Sequence, residues 1–444
     1  MTLPLRIAAE IRTAVAKGAL LPGDPVESTR QAARRLGCSR GTVVNAYEQL
    51  IAEGYLVAEA GSGTRINPEL TTLHPTPSSL PESKPIEPSA LTELTPGRPD
   101  VSGIITPEWR AAWREAASHP PTPTDPLGSM PFRREIANHL RLMRGLIVDP
   151  ARVVVTAGAR EGLALFLRAL RISSVGVETP GYPSLRRVPE VLGCNVVEVP
   201  VDESGVTAPR SSLEALLVTP SHQYPLGGSM PAARRTELVA WARDNDAWLI
   251  EDDFDSELRY VGHPLPALAA LAPEKTVLLG TFSSVISPAL ACGYLVVPEQ
   301  TLPSVAQIRA ILGQPASAIT QEALAQFLAS GALRRHTGRM RKAYQRRRDV
   351  LTGALDDCPN LQLVPVVGGL HAVIRCLDVD ASDVVARCAA QGIGITALQD
   401  YWAGVGADNG LVLGFGQLDD EHLRFALDVL IQAASASPRL SSGT

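Results

Sequence analysis

From about residue 98 onwards, short apolar runs alternate with longer helical patterns, and this alternation restricts the fold more than any other feature of the chain. The runs are residues 153–155, 175–178, 196–199, 215–218, 248–251, 277–279 and 295–297. Short strands that alternate with helices favour an α/β domain built on a mainly parallel sheet. Ligand sites in such sheets lie beyond the carboxyl ends of the strands, so we expect the functional residues there.

Polar segments that contain glycine or several carboxylates follow many of these runs. They are residues 156–160, 180–182, 220–227 and 251–255. A further turn at 280–294 is rich in Gly, Ser and Pro and lies between two of the apolar runs. This pattern indicates that one buried strand enters the turn and a second strand leaves it.

The first 66 residues have a different pattern. Residues 3–17 are predicted to form an amphipathic helix. Ser28 and Ser39 are the predicted N-caps of a second and a third helix. A short hairpin around Gly61–Gly63 follows. Three helices and a hairpin predict a winged helix-turn-helix.

The start of the third helix suits DNA. Ser39, Arg40 and Thr42 lie where free backbone N–H groups and the positive end of the helix dipole attract phosphate. Arginines at positions 30, 34, 35 and 40 form a basic patch on or beside the turn. The whole chain carries a net charge of −5, so nucleic-acid binding has to come from such a local patch.

Composition limits the compartment and the chemistry. No apolar run approaches the length of a membrane span, and the six cysteines form no C-x-x-C pair. These features predict a protein of the reducing cytoplasm that does not cross a membrane. Only four of the 41 basic residues are lysines, Lys17, Lys84, Lys275 and Lys342, so chemistry that needs an amine has few candidates. The eight histidines show no metal-ligand spacing, and no metal site is predicted.

A proline-rich segment separates the two patterns. Residues 67–99 hold eight prolines with many Ser and Thr and show no apolar periodicity. We therefore predict a DNA-binding domain at 1–66, a semi-extended linker at 67–97, an α/β domain at 98–436 and a disordered tail at 437–444.

Residues 3–66 resemble the GntR-type winged helix. The matching motifs are Gly18-x-Leu20-x-Pro22-Gly23-Asp24, Ser28-Thr29-Arg30, Leu36–Val43, Ala46–Leu50, Glu53-Gly54-Tyr55 and Gly61–Thr64. Glu27 is a departure, because the family usually has Leu-Pro at positions 26 and 27. A carboxylate there either repels phosphate or favours the helix N-terminus. The DNA contacts predicted from the helix start and from the resemblance are Arg30, Ser39, Arg40, Thr42, Gly63 and Thr64.

The rest of the chain resembles the fold-type-I aminotransferases, which use pyridoxal phosphate (PLP). The whole chain resembles the MocR-type regulators, which join that fold to a GntR winged helix. The matching motifs are Leu140-x-x-x-Arg144-Gly145, Ser221–Pro225-x-Gly227, Glu251-Asp252-Asp253-x-Asp255-Ser256-Glu257, Gly280–Ser283 and the helix Arg339–Arg348. The resemblance implies a PLP-dependent-transferase-like domain, a head-to-tail homodimer and the sensing of PLP or of a small-molecule effector.

A PLP site needs an amine for the Schiff base, donors for the phosphate and a carboxylate for the pyridine nitrogen. The resemblance assigns the carboxylate to Asp252 and part of the phosphate cradle to Gly158, Ala159 and Ser283. Arg160 stands where the family tends to have glutamine. The other residues of the implied pocket are Tyr182, His222, Phe254, Ser284 and Ala291.

Four positions of the implied pocket depart from the family. The lysine position is Ser284, the phosphate arginine is Ala291, the ring phenol is Phe254 and the carboxylate arginine is Val412. A hydroxyl cannot form an imine. The sequence therefore predicts a vestigial pocket without a catalytic residue, in a transcriptional regulator that is not an enzyme and binds double-stranded DNA.

Several alternatives stay open. One is PLP or another anion bound non-covalently, with Arg160 as the substitute cation. Another is an active aminotransferase, and Asp252 could equally serve as a strand-end cap. The arginine-rich stretch 334–348 is predicted to be a solvated helix face, with a second DNA-phosphate surface as the alternative.

Overall fold

The computed structural model describes residues 2–59, 63–70, 91–119, 125–262, 265–402 and 408–435. The chain divides into two compact units, with the boundary between residues 88 and 89. The predicted turn residues Gly61 and Ser62, positions 71–90 of the predicted linker and the predicted tail lie outside the described residues. Among the described helices, none combines the length and the apolarity that a bilayer span needs.

The first unit is a winged helix-turn-helix, as predicted. Its elements are α1 (Leu3–Ala16), α2 (Thr29–Leu36), α3 (Arg40–Ala52) and the antiparallel pair β1 (Leu56–Glu59) and β2 (Gly63–Ile66). The two predicted caps form: the hydroxyl oxygens of Ser28 and Ser39 accept hydrogen bonds from backbone N–H groups, at 3.3 and 3.2 Å. Gly37 ends α2 with a φ of 62°, a left-handed conformation that turns the chain sharply towards α3.

The second unit contains the remaining described elements. Its first half comprises β3 (Thr92–Glu93), α4 (Pro107–Ser118), α5 (Met130–Arg144), β4 (Val153–Thr156), α6 (Ala159–Leu170), β5 (Ser174–Thr179), α7 (Pro183–Val191), β6 (Asn195–Asp202), β7 (Gly205–Val206), β8 (Ala215–Val218), α8 (Ala232–Asp244), β9 (Trp248–Asp253), α9 (Leu268–Leu271) and β10 (Thr276–Thr281). Its second half comprises β11 (Gly293–Val296), α10 (Leu302–Leu312), α11 (Ala318–Ala329), α12 (Ala332–Leu355), β12 (Leu361–Leu363), β13 (His371–Cys376), α13 (Ala381–Ala390), β14 (Ile393–Gly394), β15 (Thr396–Ala397), β16 (Gly410–Gly414) and α14 (Asp420–Ser435).

A large sheet forms the centre of this unit, and each predicted apolar run contributes a strand. The described strands lie in the order β4-β11-β10-β9-β8-β5-β6-β7. Strands β10, β9, β8, β5 and β6 are parallel, whereas β11 is antiparallel to both β10 and β4. In β10, Val277 and Leu279 belong to one buried cluster and Leu278 to another, so both faces of the sheet are covered. The mainly parallel α/β prediction is confirmed.

A smaller antiparallel sheet, β12-β13-β16-β15, follows the long helix α12. Beside it, β3 pairs in parallel with β14, and Leu94 is buried in the core of the second unit. The end of the predicted linker at 67–97 therefore folds with the second unit. The physical reason is that its Thr-Glu-Leu segment completes a strand pair and buries an apolar side chain.

Candidate functional sites

Of the DNA-facing residues predicted in the first unit, Ser39, Arg40 and Thr42 lie at the start of α3, Arg30 lies on α2, and Gly63 and Thr64 lie on β2. Arg30, Ser39 and Arg40 are exposed, and Thr42 is half-buried. Arg40 Nε donates to the hydroxyl of Thr29 at 3.3 Å, which holds the base of the side chain beside α2. Within the described residues, Arg30 forms no ion pair. This end of α3 therefore presents guanidinium groups and backbone N–H groups on one exposed surface.

Glu27, the departure from the family motif, is neutralised locally. Its carboxylate pairs with the Arg35 guanidinium at 2.9 Å, and its carbonyl accepts a hydrogen bond from Tyr47 at 2.9 Å. The wing residue Thr64 accepts a backbone hydrogen bond from Val26 at 3.0 Å. The carboxylate is therefore paired, which removes most of its repulsion towards phosphate.

The predicted segments of the second unit meet at one edge of the large sheet. Asp253 is in register with Gly280, Thr281 with Gly293, and Gly293 with Thr156. This arrangement follows from strand direction, because β4, β9 and β10 end at the same edge and β11 begins there. We call this edge the cleft.

Ser284 stands in the turn between β10 and β11, and its side chain is buried. Its hydroxyl donates a hydrogen bond to the backbone carbonyl of Phe254, just after β9. Among the described lysines of this unit, Lys275 lies at the opposite end of β10 and pairs with Asp246, and Lys342 is exposed on α12. No described lysine therefore stands at the turn where the resemblance places the Schiff base.

Phe254 packs into a group of rings that we call the aromatic cluster. It stacks on His222 with the ring centres 5.7 Å apart and meets Tyr224 edge-on at 5.6 Å. The described members of the cluster are Tyr182, His222, Tyr224, Phe254, His371 and Tyr401. Val412 lies in the same buried group as Tyr224, so this side of the cleft is lined by rings and aliphatic carbon.

Two buried carboxylates, Asp252 at the end of β9 and Glu178 near the end of β5, line the same small cavity. Burial, and then the neighbouring carboxylates, raise the pKa of Asp252 well above its usual range. Its Oδ1 atom has no hydrogen-bond partner within the described residues. Burial also raises the pKa of Glu178 to about 7, although Thr219 donates to it from both its N–H and its hydroxyl. Among the residues that the structure describes, no cationic side chain pairs with Asp252.

His222, Asp255 and His371 are buried together, with their ligand-type atoms within 4.8 Å of one another. His222 Nδ1 is hydrogen-bonded to Asp255 Oδ2 at 2.7 Å, whereas His371 Nε2 is hydrogen-bonded to the backbone carbonyl of Pro225 at 3.0 Å. Burial, and then His222, lower the pKa of His371 to about 4, so its ring is neutral. Sequence spacing gave no sign of this group, because its members come from three separate strand ends.

The predicted phosphate cradle forms at the start of α6. Gly158 precedes the helix with a φ of 107°, which an L side chain rarely adopts, and frees the N–H groups that follow. Arg160 is exposed and makes no ion pair within the described residues. The Ser283 hydroxyl bonds to that of Thr281 at 2.9 Å. Ala291 is exposed and supplies no charge.

These residues fit PLP only in part. The orphaned oxygen of Asp252 suits a pyridinium N–H, and the start of α6 suits a phosphate. Ser284 cannot supply an amine, and Phe254 cannot supply a phenol. The cavities that border Asp252 and His222 measure about 10 Å³ each, which is the room of a single water molecule. The set does not support covalent PLP chemistry.

Arg186 lines the small cavity beside Asp252 and Tyr401 belongs to the aromatic cluster, and the sequence indicated neither residue. Arg186 donates to the carbonyls of Tyr401 and Trp402 at 3.0 and 2.8 Å, and Gly181 N–H donates to Tyr401 at 3.1 Å. These contacts hold Tyr401 and Trp402 against α7 and the turn that precedes it. Glu178 could have been identified as a site residue from the sequence, because it stands at the carboxyl end of a predicted strand. No sequence pattern pointed to Tyr401.

Two family models match the chain. The model for bacterial regulatory proteins of the gntR family matches residues 3–66, and the model for aminotransferases of class I and II matches residues 94–401. The second unit shares its fold with the crystal structure of an archaeal alanine:glyoxylate aminotransferase, with a TM-score of 0.71 and 22% identity. The likeness covers 78% of this chain and 91% of that chain.

Full-length relatives join the same two parts. The pyridoxine biosynthesis transcriptional regulator PdxR of Corynebacterium glutamicum is 55% identical over 98% of this chain and 96% of its own length. The regulator TauR of Rhodobacter capsulatus is 30% identical, with 88% of each chain covered. The probable rhizopine catabolism regulatory protein MocR of Rhizobium meliloti is 29% identical over 96% and 92%. A gntR-type DNA-binding domain followed by an aminotransferase-type domain, shared with these relatives along the chain, makes it a member of the MocR-type family of transcriptional regulators.

Proposed function

We propose that this regulator binds DNA through the start of α3 and the wing, and that its aminotransferase-like domain serves dimerisation and ligand sensing without Schiff-base chemistry. The observation that carries the proposal is the buried hydroxyl of Ser284, bonded to the Phe254 carbonyl where an amine would be needed. Without a primary amine, PLP cannot be held as an imine.

Asp252 and Arg160 define the ligand class. A buried carboxylate with an orphaned oxygen is stabilised in its ionised form by a cationic N–H group. The N-terminus of α6 and the exposed Arg160 favour an anion. A zwitterionic aromatic phosphate, such as a phosphorylated B6 vitamer held non-covalently, matches both charges. Its binding requires the cleft to open beyond the cavity of about 10 Å³ beside Asp252. The 55% identical relative is named as a regulator of pyridoxine biosynthesis. This name supports the proposal that the present chain regulates the same process.

A spectroscopic titration tests the absence of imine chemistry. Purified protein is mixed with PLP, treated with borohydride and examined by intact-mass spectrometry, with an unrelated fold-type-I aminotransferase as the positive control. We expect no visible imine band and no added mass. A reducible band that survives dialysis would contradict the proposal. Fluorescence of the tryptophans, which all lie between residues 109 and 402, reports non-covalent binding of PLP or pyridoxamine phosphate to the second unit.

DNA binding is tested by fluorescence anisotropy. The probe is a duplex that the wild-type chain has selected from a random-sequence library. Arg40→Ala should weaken binding at least about tenfold, because a charge-assisted phosphate or base contact is lost. Arg168→Ala, an exposed arginine on α6, is the matched control and should leave binding unchanged. Equal affinities for Arg40→Ala and wild type would refute the assignment of α3.

A further inference from the structure

A row of four cations runs along the exposed face of α12. It consists of Arg335, Arg339, Lys342 and Arg346, all of which are exposed, and we call these residues the basic stripe. Spacings of four, three and four residues place them on one side of the helix. At a rise of 1.5 Å per residue, the stripe is about 16 Å long.

The stripe is not required for packing. The buried side chains of α12, among them His336, Met340, Tyr344 and Leu351, lie on the opposite side of the helix. The buried arginine of this helix, Arg347, is paired with Asp100 at 2.8 Å. The fold thus uses one face of α12 for its core and leaves the other to solvent.

Little negative charge offsets the stripe. Residues 332–348 contain no Asp or Glu. In the described part of the chain, Arg335 approaches Glu108 at 3.7 Å, with both side chains about half exposed, and such a pair is weak. Arg339, Lys342 and Arg346 form no ion pair there. Like charges three or four residues apart repel one another along a helix, so core stability does not explain the stripe.

We propose that the basic stripe is a second contact surface for DNA phosphates, separate from the start of α3. This inference rests on the proposed function, because it needs a chain that binds DNA. About 16 Å of duplex presents roughly five phosphates on each strand, which matches a row of four cations in length and in sign. Contacts of this type are independent of base sequence and add affinity through counterion release.

The test compares two triple variants of the full-length protein. Arg339→Gln/Lys342→Gln/Arg346→Gln removes three of the four cations of the stripe, and Arg168→Gln/Arg187→Gln/Arg210→Gln removes the same charge from exposed arginines of the same unit. Affinity for the selected duplex is measured by anisotropy over a range of salt concentrations. We expect the stripe variant to bind at least about tenfold more weakly near 0.1 M salt. The slope of log K against log salt should fall by about 2 to 3, from three phosphate contacts at about 0.9 each.

Further variants separate the alternatives. Arg339→Lys/Arg346→Lys keeps the charge and should bind like wild type. Equal behaviour of the two triple variants would overturn the inference, as would weaker binding with an unchanged salt slope. A loss that accompanies a changed oligomeric state in analytical ultracentrifugation would also overturn it, because the stripe would then contact a second copy. If Arg40→Ala leaves DNA binding intact, the proposed role of α3 is refuted. This outcome is distinguishable from refutation of the basic stripe, which requires that the two triple variants behave alike.

Discussion

The hydroxyl of Ser284 donates a hydrogen bond to the backbone carbonyl of Phe254, and this contact joins the β10–β11 turn to the segment that follows β9. The family resemblance places a lysine and a tyrosine at these two positions. In this chain, the first residue stabilises the turn and the second belongs to the aromatic cluster. The contact therefore has a structural role where the related enzymes have a chemical one.

Ser284→Ala should lower the free energy of unfolding of the second unit by about 1 kcal/mol, because the Phe254 carbonyl loses its partner in a buried setting. Urea denaturation followed by tryptophan fluorescence measures this change, since the tryptophans all lie in the second unit. Ser283→Ala is the control, and its half-buried hydroxyl bonds only within the turn. An equal loss in both variants would argue against a special role of Ser284.

Arg186→Ala should destabilise the second unit by about 2–4 kcal/mol, because the buried carbonyl of Tyr401 and the half-buried carbonyl of Trp402 lose a charged donor. Hydrogen exchange at residues 398–402 should rise selectively, which a general loss of stability would not produce. Arg187→Ala removes an exposed neighbour and should change neither quantity. Unchanged exchange at 398–402 in Arg186→Ala would contradict the anchoring role.

Glu178 should make the second unit less stable as the pH rises. Its pKa is raised to about 7 in the folded state, so the folded state binds the proton more tightly than the unfolded state. The contribution of protonated Glu178 to the free energy of unfolding is at most about 3 kcal/mol. It is complete below the unfolded pKa of about 4.5 and is lost as the pH rises to about 7.

Glu178→Gln should therefore flatten the fall in unfolding free energy between pH 5 and about 7.5. Urea denaturation at several pH values measures it. The exposed Glu203→Gln is the matched control and should keep the wild-type slope. A Glu178→Gln slope equal to that of wild type would show that Glu178 is ionised throughout this range.

Ala291→Gly should stabilise the second unit by about 0.5–1 kcal/mol. Ala291 has a φ of 44°, in the left-handed region, where a Cβ atom is unfavourable and glycine is not. Ala289→Gly, in the short helical turn just before it, is the control and should be neutral or destabilising. Thermal unfolding followed by tryptophan fluorescence compares the two variants. A lower melting temperature for Ala291→Gly than for wild type would show that the backbone at Ala291 is not strained.

The sequence by itself determined the two-part organisation of the chain and most strands of the large sheet. Apolar runs predicted seven of the eight described strands of the large sheet, all except the two-residue β7. The reason is that strands buried on both faces read as apolar runs. The serine caps identified α2 and α3, since capping is a local interaction. The departures from the family pattern at Ser284, Ala291 and Phe254 could also be identified from the sequence. The reason is that imine formation depends on residue type and not on geometry.

Only the tertiary structure decided which distant side chains meet. Arg186 contacts the carbonyls of Tyr401 and Trp402, and His222 lies beside both Asp255 and His371. These contacts depend on strand order and on how the smaller sheet packs, and local periodicity does not encode either. The raised pKa of Asp252 has the same origin, because burial and neighbouring carboxylates exist only after the strands have assembled.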